Sequence, residues 1–579
     1  MTATLGGTAT PTTMCEAFQA TVVRQPSTVA LRTAGGGTVL TWARYAAEVR
    51  RIAAGLAALG VRRGDPIALL LTNRPEFHLV DTAAQHLGAV PFSCYHNAAP
   101  AQIAHLLNDS GARLAVTERR LSALLTDGPA RPSRLIVVDG PAGSLTLDDV
   151  AGRGAPGFDL EAAARAVAPG DLLTLVYTSG TTGAPKAVEI THAAMAAMAT
   201  SSAAALGMRA GDRLISFLPS AHIADRWANH YLHSWVGTEV TTLADPRDIL
   251  DALRDVRPTL FGAVPQIWQR LAAGVRHMLG ADPHLQHAVD VALQYAAARR
   301  SGEVPADLAA AYRVADQRAL SGLRAHLGLD RVRLAVTAAA PAPPAMVEFV
   351  NALGVPLSEA WGMSELSGMA TMNPPGDIRP GTVGRPLPGV EIRLAPDGEL
   401  LVRGAMVMRG YRGRPEDTRA AVDPDGWLHT GDVAIVDADG YVSIVDRKKE
   451  IVITSGGENV APARVELAIK THCPLVAHAV VAGDARPYLV ALLVLDPEAV
   501  EASALPDPQA LRKVIDAGID AANGTLSRAE QVRAFTVLTD GAWTPGGDMV
   551  TATMKVRRRP VLQAYAERIE ALYAQAQRP

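Results

Sequence analysis

The chain has 579 residues and a mass of 60.7 kDa, more than one hydrophobic core ordinarily supports, so we expect at least two domains. Its formal net charge of −3 offers no basic surface excess for nucleic acid. Three distant cysteines (Cys15, Cys94 and Cys473) form neither a metal motif nor a disulfide framework, which fits a reducing cytoplasm. The N-terminus lacks a signal-peptide pattern and no charge-free apolar run reaches membrane-spanning length. We therefore expect a cytoplasmic protein with at most peripheral membrane contact.

Short apolar segments alternate with alanine-rich helical patterns over the first two thirds of the chain. They are "PIALLL" and "SRLIVVD" within 40–150, then "DLLTLVYT", "RLISFLP" and "VRLAVTA" within 171–390. This alternation favours an α/β architecture with a largely parallel sheet. The stretch 278–326 has helical spacing and predicts a helical hairpin laid over the sheet, with a membrane-contacting face as the alternative.

The pattern changes after residue 390. "VEIRLAPDGELLVRG" and "DVAIVDADGYVSIVDR" are alternating strands joined by Asp-Gly turns, which is typical of hairpins. Mixed strand and helix patterns follow. We therefore predict a large domain over 14–445 and a small α+β domain over 446–579.

The segment "LLTLVYTSGTTGAPK" places an apolar strand directly before a glycine-rich loop that ends at Lys186. Glycines allow a backbone to approach phosphate oxygens closely, and hydroxyls and a lysine supply donors and charge. The loop residues are Ser179, Gly180, Thr181, Thr182 and Gly183. The spacing is not that of a Walker loop, because Ala187 follows the lysine. The segment predicts a phosphate-binding loop.

"YTSGTTGAPK" resembles the signature of the adenylate-forming superfamily, which includes acyl-CoA synthetases, adenylation domains of peptide synthetases and firefly luciferase. The resemblance runs from about residue 16 to 570. It implies a large N-terminal domain of packed α/β subdomains, a small mobile α+β C-terminal domain, and an active site between them. It also implies a two-step reaction in which a carboxylate attacks ATP in the presence of Mg²⁺, and a thiol such as that of CoA then captures the acyl-adenylate.

Further segments match the superfamily in its order along the chain. In "LSEAWGMSEL", Trp361 would stack on adenine and Glu365, together with Thr182, would hold Mg²⁺; core packing is the alternative for Trp361. "VTAAAPAPP" occupies the place of the adenine wall, with Ala339 at its centre. The residues that the resemblance assigns to ATP or AMP are Thr178, Ser179, Gly180, Thr181, Thr182, Gly183, Lys186, Ala339, Glu359, Ala360, Trp361, Gly362, Ser364, Asp432 and Arg447.

The match over 426–466 is the longest. It implies that Asp432 and Arg447 hold the ribose hydroxyls, because a carboxylate and a guanidinium suit vicinal hydroxyls. Lys449 matches the interdomain hinge, whereas Lys448 is interpreted as solvated charge. Gly456 and Gly457 match a glycine-rich turn that would line the CoA tunnel after the C-terminal domain swings.

Lysine is rare here: six of the 55 basic residues are lysine. The resemblance places Lys555 between the substrate carboxylate and the phosphates, where a compact cation fits better than a planar guanidinium. The predicted catalytic residues are Lys555, Glu365, Lys186 and His222. For His222, near the acyl group, a buried hydrogen-bonded histidine is the alternative. The flank Arg557, Arg558 and Arg559 is interpreted as solvated, with a lipid-binding patch as the alternative.

The helical stretch 278–326 and the ending "TATMKVRRRPVLQAYAERI" resemble long-chain acyl-CoA synthetases. We therefore expect a medium- or long-chain fatty acid–CoA ligase with fatty acid, ATP and CoA as substrates. Two alternatives stay open: a stand-alone ligase that loads an acyl carrier protein, and a non-catalytic nucleotide-binding relative.

Overall fold

The structure is a computed structural model that describes residues 10–141, 143–178, 184–503, 505, 507–539, 543, 547–551 and 555–576. The N-terminal elements are α1 (Met14–Arg24), β1 (Val29–Thr33), β2 (Val39–Thr41), α2 (Trp42–Ala58), β3 (Pro66–Leu70), α3 (Pro75–His86), β4 (Val90–Ser93), α4 (Pro100–Ser110), β5 (Leu114–Thr117), α5 (Ala123–Thr126), β6 (Arg134–Val137), α6 (Leu147–Ala151) and α7 (Leu160–Arg165). Strands β3 to β6 form a parallel sheet in the order β4-β3-β5-β6. The strands predicted at "PIALLL" and "SRLIVVD" are thus confirmed.

The second α/β stretch supplies two further sheets. Its elements are β7 (Leu172–Thr178), β8 (Lys186–Thr191), α8 (His192–Ala205), β9 (Arg213–Ser216), α9 (Ile223–Asp225), α10 (Leu232–Val236), β10 (Glu239–Thr242), α11 (Ile249–Val256), β11 (Leu260–Ala263), α12 (Pro265–Ala281), α13 (Pro283–Ser301), α14 (Ala306–Ala315), α15 (Ser321–His326), β12 (Leu334–Thr337), α16 (Pro344–Ala352), β13 (Leu357–Met363), β14 (Gly368–Met372) and β15 (Arg385–Pro386). The sheet orders are β2-β1-β10-β9 and β11-β12-β13-β14-β15. Helices α12 to α15 confirm the helical hairpin predicted over 278–326.

The remaining elements are β16 (Glu391–Leu394), β17 (Glu399–Arg403), β18 (Gly410–Tyr411), α17 (Pro415–Ala421), β19 (Leu428–Val436), β20 (Val442–Arg447), β21 (Val452–Ile453), β22 (Asn459–Val460), α18 (Pro462–His472), β23 (Val476–Ala482), β24 (Leu489–Leu495), α19 (Pro497–Ala502), α20 (Pro508–Asn523), β25 (Val532–Val537), α21 (Arg558–Ala564) and α22 (Ala566–Ala576). Both predicted Asp-Gly hairpins are present, as the antiparallel pairs β16–β17 and β19–β20. The C-terminal sheet β23-β24-β25 has a hydrophobic cluster of its own on each face.

A π-helical turn, Arg226–Tyr231, anchors the segment that follows His222 to helix α3. The Arg226 guanidinium is 1% exposed and forms an ion pair with the fully buried Asp81. It also donates to Ser93 Oγ at 2.9 Å and to the Pro91 carbonyl at 3.0 Å. A buried cation is tolerated because its hydrogen bonds are satisfied in this way. No helix within the described residues is long and apolar enough to cross a bilayer.

Replacement of Arg226 by Met should destabilise the protein strongly. It leaves the Asp81 carboxylate buried without its cation, and such a loss typically costs about 3–5 kcal/mol. The measurement is chemical denaturation of Arg226→Met beside wild type. As the matched control, Arg247→Met removes an exposed arginine paired with Asp245 and should change stability by at most about 1 kcal/mol. Equal effects of the two substitutions would contradict this account.

Candidate active site

The site lies where strands β12 and β13 end beside the β19–β20 hairpin. Thr337 pairs with Glu359 across these parallel strands, so the loop after β12 runs alongside the end of β13. Ala339 in that loop has φ +73°, a left-handed conformation that is uncommon for alanine. Strained backbone of this kind concentrates at ligand sites. The loop predicted to form the adenine wall therefore has an unusual, tightly specified path.

Gly362 lets the backbone of β13 turn closely against β14. A Cβ at this position would meet the Gly368 carbonyl oxygen at 2.1 Å and Met369 Cα at 2.6 Å, so no side chain fits. The β-bulge between Trp361 and Gly362 turns the half-buried Trp361 toward the hairpin. Its indole Nε1 donates to Asp432 Oδ2 at 2.9 Å. The structure thus joins two segments that the sequence separates by 71 residues.

Asp432 and Arg447 face each other across the β19–β20 ladder. They are register partners, and Arg447 Nε lies 2.6 Å from Asp432 Oδ1. The Asp432 side chain is almost fully buried, whereas that of Arg447 is 37% exposed. The guanidinium thus stays partly exposed, whereas the carboxylate is held by Trp361 and Arg447. This geometry suits recognition of a sugar diol.

Glu365 lies in a 3-10 turn, Ser364–Leu366, and is 7% exposed. Tyr411 Oη donates to its Oε1 at 2.9 Å. Burial raises the pKa of Glu365, and the Tyr411 hydrogen bond and the charge of Arg447 act in the opposite direction. A buried carboxylate of this kind is stabilised in its ionised form by a nearby cation. The described residues hold no cluster of three potential metal ligands.

Lys186 opens strand β8, where it pairs with Thr178 of β7. Its Nζ lies 3.0 Å from Asp417 Oδ2 and 5.1 Å from the centre of the Tyr411 ring. The loop residues between these strands, Ser179, Gly180, Thr181, Thr182 and Gly183, lie outside the described residues, so their predicted roles stay predictions. Thr178 and Lys186, which flank this loop, pair with each other in one sheet.

Lys555 comes from the C-terminal domain and directly precedes Val556, which forms an antiparallel bridge with Val550. Its backbone N–H donates to Thr551 Oγ1 at 3.0 Å. Displacement of water by the surrounding protein lowers the pKa of Lys555, and the charge of Arg447 lowers it further, against the attraction of Asp432. The lysine therefore lies within electrostatic reach of the Asp432–Arg447 pair.

His222 is a further residue within electrostatic reach of Lys555. Its Nδ1 accepts from the Ala224 N–H at 3.1 Å and caps helix α9. Burial lowers the pKa of His222 to about 4, and the positive charge of Lys555 contributes. The imidazole is neutral at pH 7, and the helix cap is a structural role that the sequence left open as the alternative. The same side chain also lies beside Lys555.

For two basic residues near Lys449 and Lys555, the interpretation from the sequence was wrong. Lys448 is not free solvated charge: its Nζ pairs with Asp397 and lies 3.0 Å from the buried Glu399 Oε2. Arg558 is not a solvated flank either, because its side chain is 11% exposed and forms two hydrogen bonds with Glu466, at 2.5 and 2.9 Å. Both residues fix the framework around Lys449 and Lys555.

Lys449 is exposed directly after β20 ends. The exposed Gly456 and Gly457 form the turn between β21 and β22, where Gly457 has φ +80°. The Gly457 N–H donates to the Thr454 carbonyl within the C-terminal domain. Lys555, from the same domain, lies within electrostatic reach of Asp432 and Arg447 in this structure.

Two residues of the site were missed by sequence reasoning. Tyr411 and Asp417 both contact Lys186, although they lie more than 220 positions away. Their approach depends on the pairing of β18 with β8, which joins Tyr411 to Val188. The segment "GYRGRPEDT" contains an aromatic residue and an acidic helix start. Nothing in this segment indicates that its strand pairs with β8.

A family model described as AMP-binding enzyme matches residues 18–412, and one described as AMP-binding enzyme C-terminal domain matches residues 449–577. The chain belongs to the AMP-binding enzyme family. This confirms the resemblance and the predicted α/β fold with a large N-terminal and a smaller C-terminal domain.

Among the most similar relatives of this AMP-binding enzyme are two proteins of Mycobacterium tuberculosis. FadD11, which carries a provisional fatty-acid–CoA ligase name, is 44% identical over 491 residues, covering 81% of this chain and 85% of the relative. The long-chain-fatty-acid–CoA ligase FadD15 is 34% identical over 564 residues, covering 93% of each chain. A solved structure of the o-succinylbenzoate CoA synthetase MenE of Bacillus subtilis, with ATP and magnesium ion, has a TM-score of 0.69 at 23% identity, covering 94% and 98% of the two chains.

Glu359, on the β13 edge of the site, should make stability depend on pH. Its Oε2 accepts from the Gly381 N–H at 2.9 Å, and burial raises its pKa from 4.5 to about 8. The folded state therefore retains a proton that the unfolded chain releases, so this contribution is full below pH 4.5 and is lost as pH rises toward 8.

The Glu359→Gln variant carries a neutral side chain at every pH. We expect its stability relative to wild type to rise between pH 5 and pH 8, with a slope of up to about 1.4 kcal/mol per pH unit. Denaturation at a series of pH values without ligand measures this slope. The exposed Glu391→Gln serves as control and should give no such rise; a flat difference for Glu359→Gln would show that its carboxyl ionises in the fold.

Proposed function

We propose that this protein is an ATP-dependent fatty acid–CoA ligase of the AMP-forming type that acts on medium- or long-chain acids. The observation that carries the proposal is that Trp361 of β13 contacts the Asp432–Arg447 pair, with Lys555 of the C-terminal domain within electrostatic reach of that pair. The names of the similar FadD11 and FadD15 support a fatty acid and CoA as the acid and the thiol. Membership of the AMP-binding enzyme family supports ATP as the activating substrate.

In the first step, a carboxylate oxygen of the fatty acid attacks the α-phosphorus of ATP, and pyrophosphate leaves. The two reactants are both anionic, so the protein's task is to bring them together and to offset their charges. Lys555 supplies a cation between them, and Lys186 supplies one at the leaving phosphates. Asp432 and Arg447 hold the ribose, while Trp361 and the loop at Ala339 enclose the adenine.

Magnesium, when bound, neutralises the triphosphate and polarises its phosphoryl oxygens. Glu365 is the described residue whose buried carboxylate suits it, and Thr182 is proposed to contribute its hydroxyl. In the second step, the CoA thiol attacks the acyl carbonyl and AMP leaves. We propose that the 446–579 domain first rotates about Lys449 relative to 14–445, withdrawing Lys555 and bringing the Gly456–Gly457 turn to the thiol entrance.

The substrate proposal is tested by pyrophosphate release from a panel of saturated acids of two to twenty carbons and aromatic acids, with and without CoA. We expect release with the medium- and long-chain acids, and acyl-CoA as the final product. Release with acetate or aromatic acids alone would contradict the fatty-acid assignment. Transfer to a purified acyl carrier protein, with none to CoA, would replace the ligase by a loading enzyme.

A further inference from the structure

Tyr411 lies between Lys186 and Glu365, two charged groups of the site that are far apart in the sequence. Strand β18 pairs antiparallel with β8, so that Tyr411 is the register partner of Val188. Lys186 lies two positions before Val188 and therefore on the same face of the strand. Its side chain reaches diagonally over the tyrosine, with Nζ 5.1 Å from the ring centre. A cation over an aromatic face is held there by the ring quadrupole.

The hydroxyl end of the same side chain contacts the buried carboxylate. Tyr411 Oη lies 2.9 Å from Glu365 Oε1, and Glu365 can accept this hydrogen bond but not donate one when ionised. The bond orients the carboxylate plane and engages one of its two oxygens. A further tie links the same segments, because the Met408 N–H donates to the Glu365 carbonyl at 2.8 Å.

The backbone around Tyr411 is itself fixed. Its N–H donates to Thr418 Oγ1 at 2.9 Å, and the neighbouring Gly410 leaves no room for a Cβ, which would lie 2.7 Å from Thr418 Cγ2. Thr418 belongs to helix α17, which also carries Asp417, the ion-pair partner of Lys186. One short segment therefore determines where the lysine and the carboxylate can lie.

We propose that Tyr411 is a positioning residue that holds Glu365 and Lys186 in fixed relation, through its hydroxyl and its ring, so that a metal–nucleotide complex meets both together. The inference rests on the proposed function, since it needs ATP and a divalent cation as ligands of this site. Asp417 holds the lysine until the phosphates replace it. Tyr411 itself touches no reacting atom.

The two contacts of Tyr411 can be separated by substitution. Tyr411→Phe keeps the ring and removes the hydroxyl, whereas Tyr411→Leu removes both. Tyr441→Phe is the matched control, because the Tyr441 hydroxyl donates to the Asp377 carbonyl at 2.8 Å and its ring lies under Arg379 and Arg385. That tyrosine makes the same two kinds of contact without touching Glu365 or Lys186.

The measurement is equilibrium binding, without turnover: ATP affinity in the presence of EDTA, then Mn²⁺ affinity of the ATP complex by electron paramagnetic resonance. For Tyr411→Phe we expect about tenfold weaker Mn²⁺ binding, as for a lost hydrogen bond to a charged group, with metal-free ATP affinity within about twofold of wild type. Tyr411→Leu should in addition weaken metal-free ATP binding by about threefold or more. The control Tyr441→Phe should match wild type in both.

Normal Mn²⁺ binding by a folded Tyr411→Phe would overturn the inference, and so would equal weakening of both ligands in that variant. If the Phe variant melts early, Tyr411→Leu decides, since loss of metal binding without loss of the metal-free ATP complex would exclude the role toward Lys186. Failure of wild type itself to bind ATP or Mn²⁺ would instead refute the proposed function, so the two failures are distinguishable.

Discussion

The ion pair between Asp432 and Arg447 is the interaction on which the site depends. It joins the adjacent strands β19 and β20. Trp361 of β13 donates a hydrogen bond to the Asp432 carboxylate. Lys555 of the C-terminal domain lies within electrostatic reach of the same pair. This buried carboxylate accepts from the Trp361 indole N–H on one oxygen and contacts the Arg447 guanidinium with the other. Strand β13 and the β19–β20 hairpin thus meet at one carboxylate.

The same hairpin also lies next to the proposed hinge residue Lys449. Lys448 is held by Asp397 and by Glu399, and Glu399 in addition accepts from the Gly431 N–H at 2.9 Å. The chain is therefore anchored up to the residue before Lys449, which is exposed and follows the strand end. A pivot needs a fixed residue on one side and freedom on the other. On the other side of Lys449, the C-terminal domain is held together by hydrophobic clusters of its own.

Much of this arrangement could be predicted from the sequence, because the informative features are local. Apolar strand segments, Asp-Gly turns and the helical spacing of 278–326 each indicate their structure from neighbouring residues alone, and the motif resemblance indicated their order along the chain. The errors concern charges whose partners lie far away in the chain. Lys448 and Arg558 look solvated beside their neighbours, and only folding brings Glu399 and Glu466 to them. Tyr411 and Asp417 were missed for the same reason, since strand pairing over 220 residues has no local signature.

The central claim is that Lys555 serves the first half-reaction by its shape as well as its charge, and is carried away for the second. Single-turnover assays of Lys555→Arg and Lys555→Ala measure this, with acyl-adenylate formation and thioester formation from supplied acyl-adenylate followed separately. Arg559→Lys is the control in the same segment. The account predicts that both Lys555 variants lose adenylation by about 10²-fold or more, while thioester formation remains near wild type. Near-normal adenylation by Lys555→Arg would contradict the claim about shape, and loss of thioester formation in Lys555→Ala would contradict the claim that the lysine leaves the site.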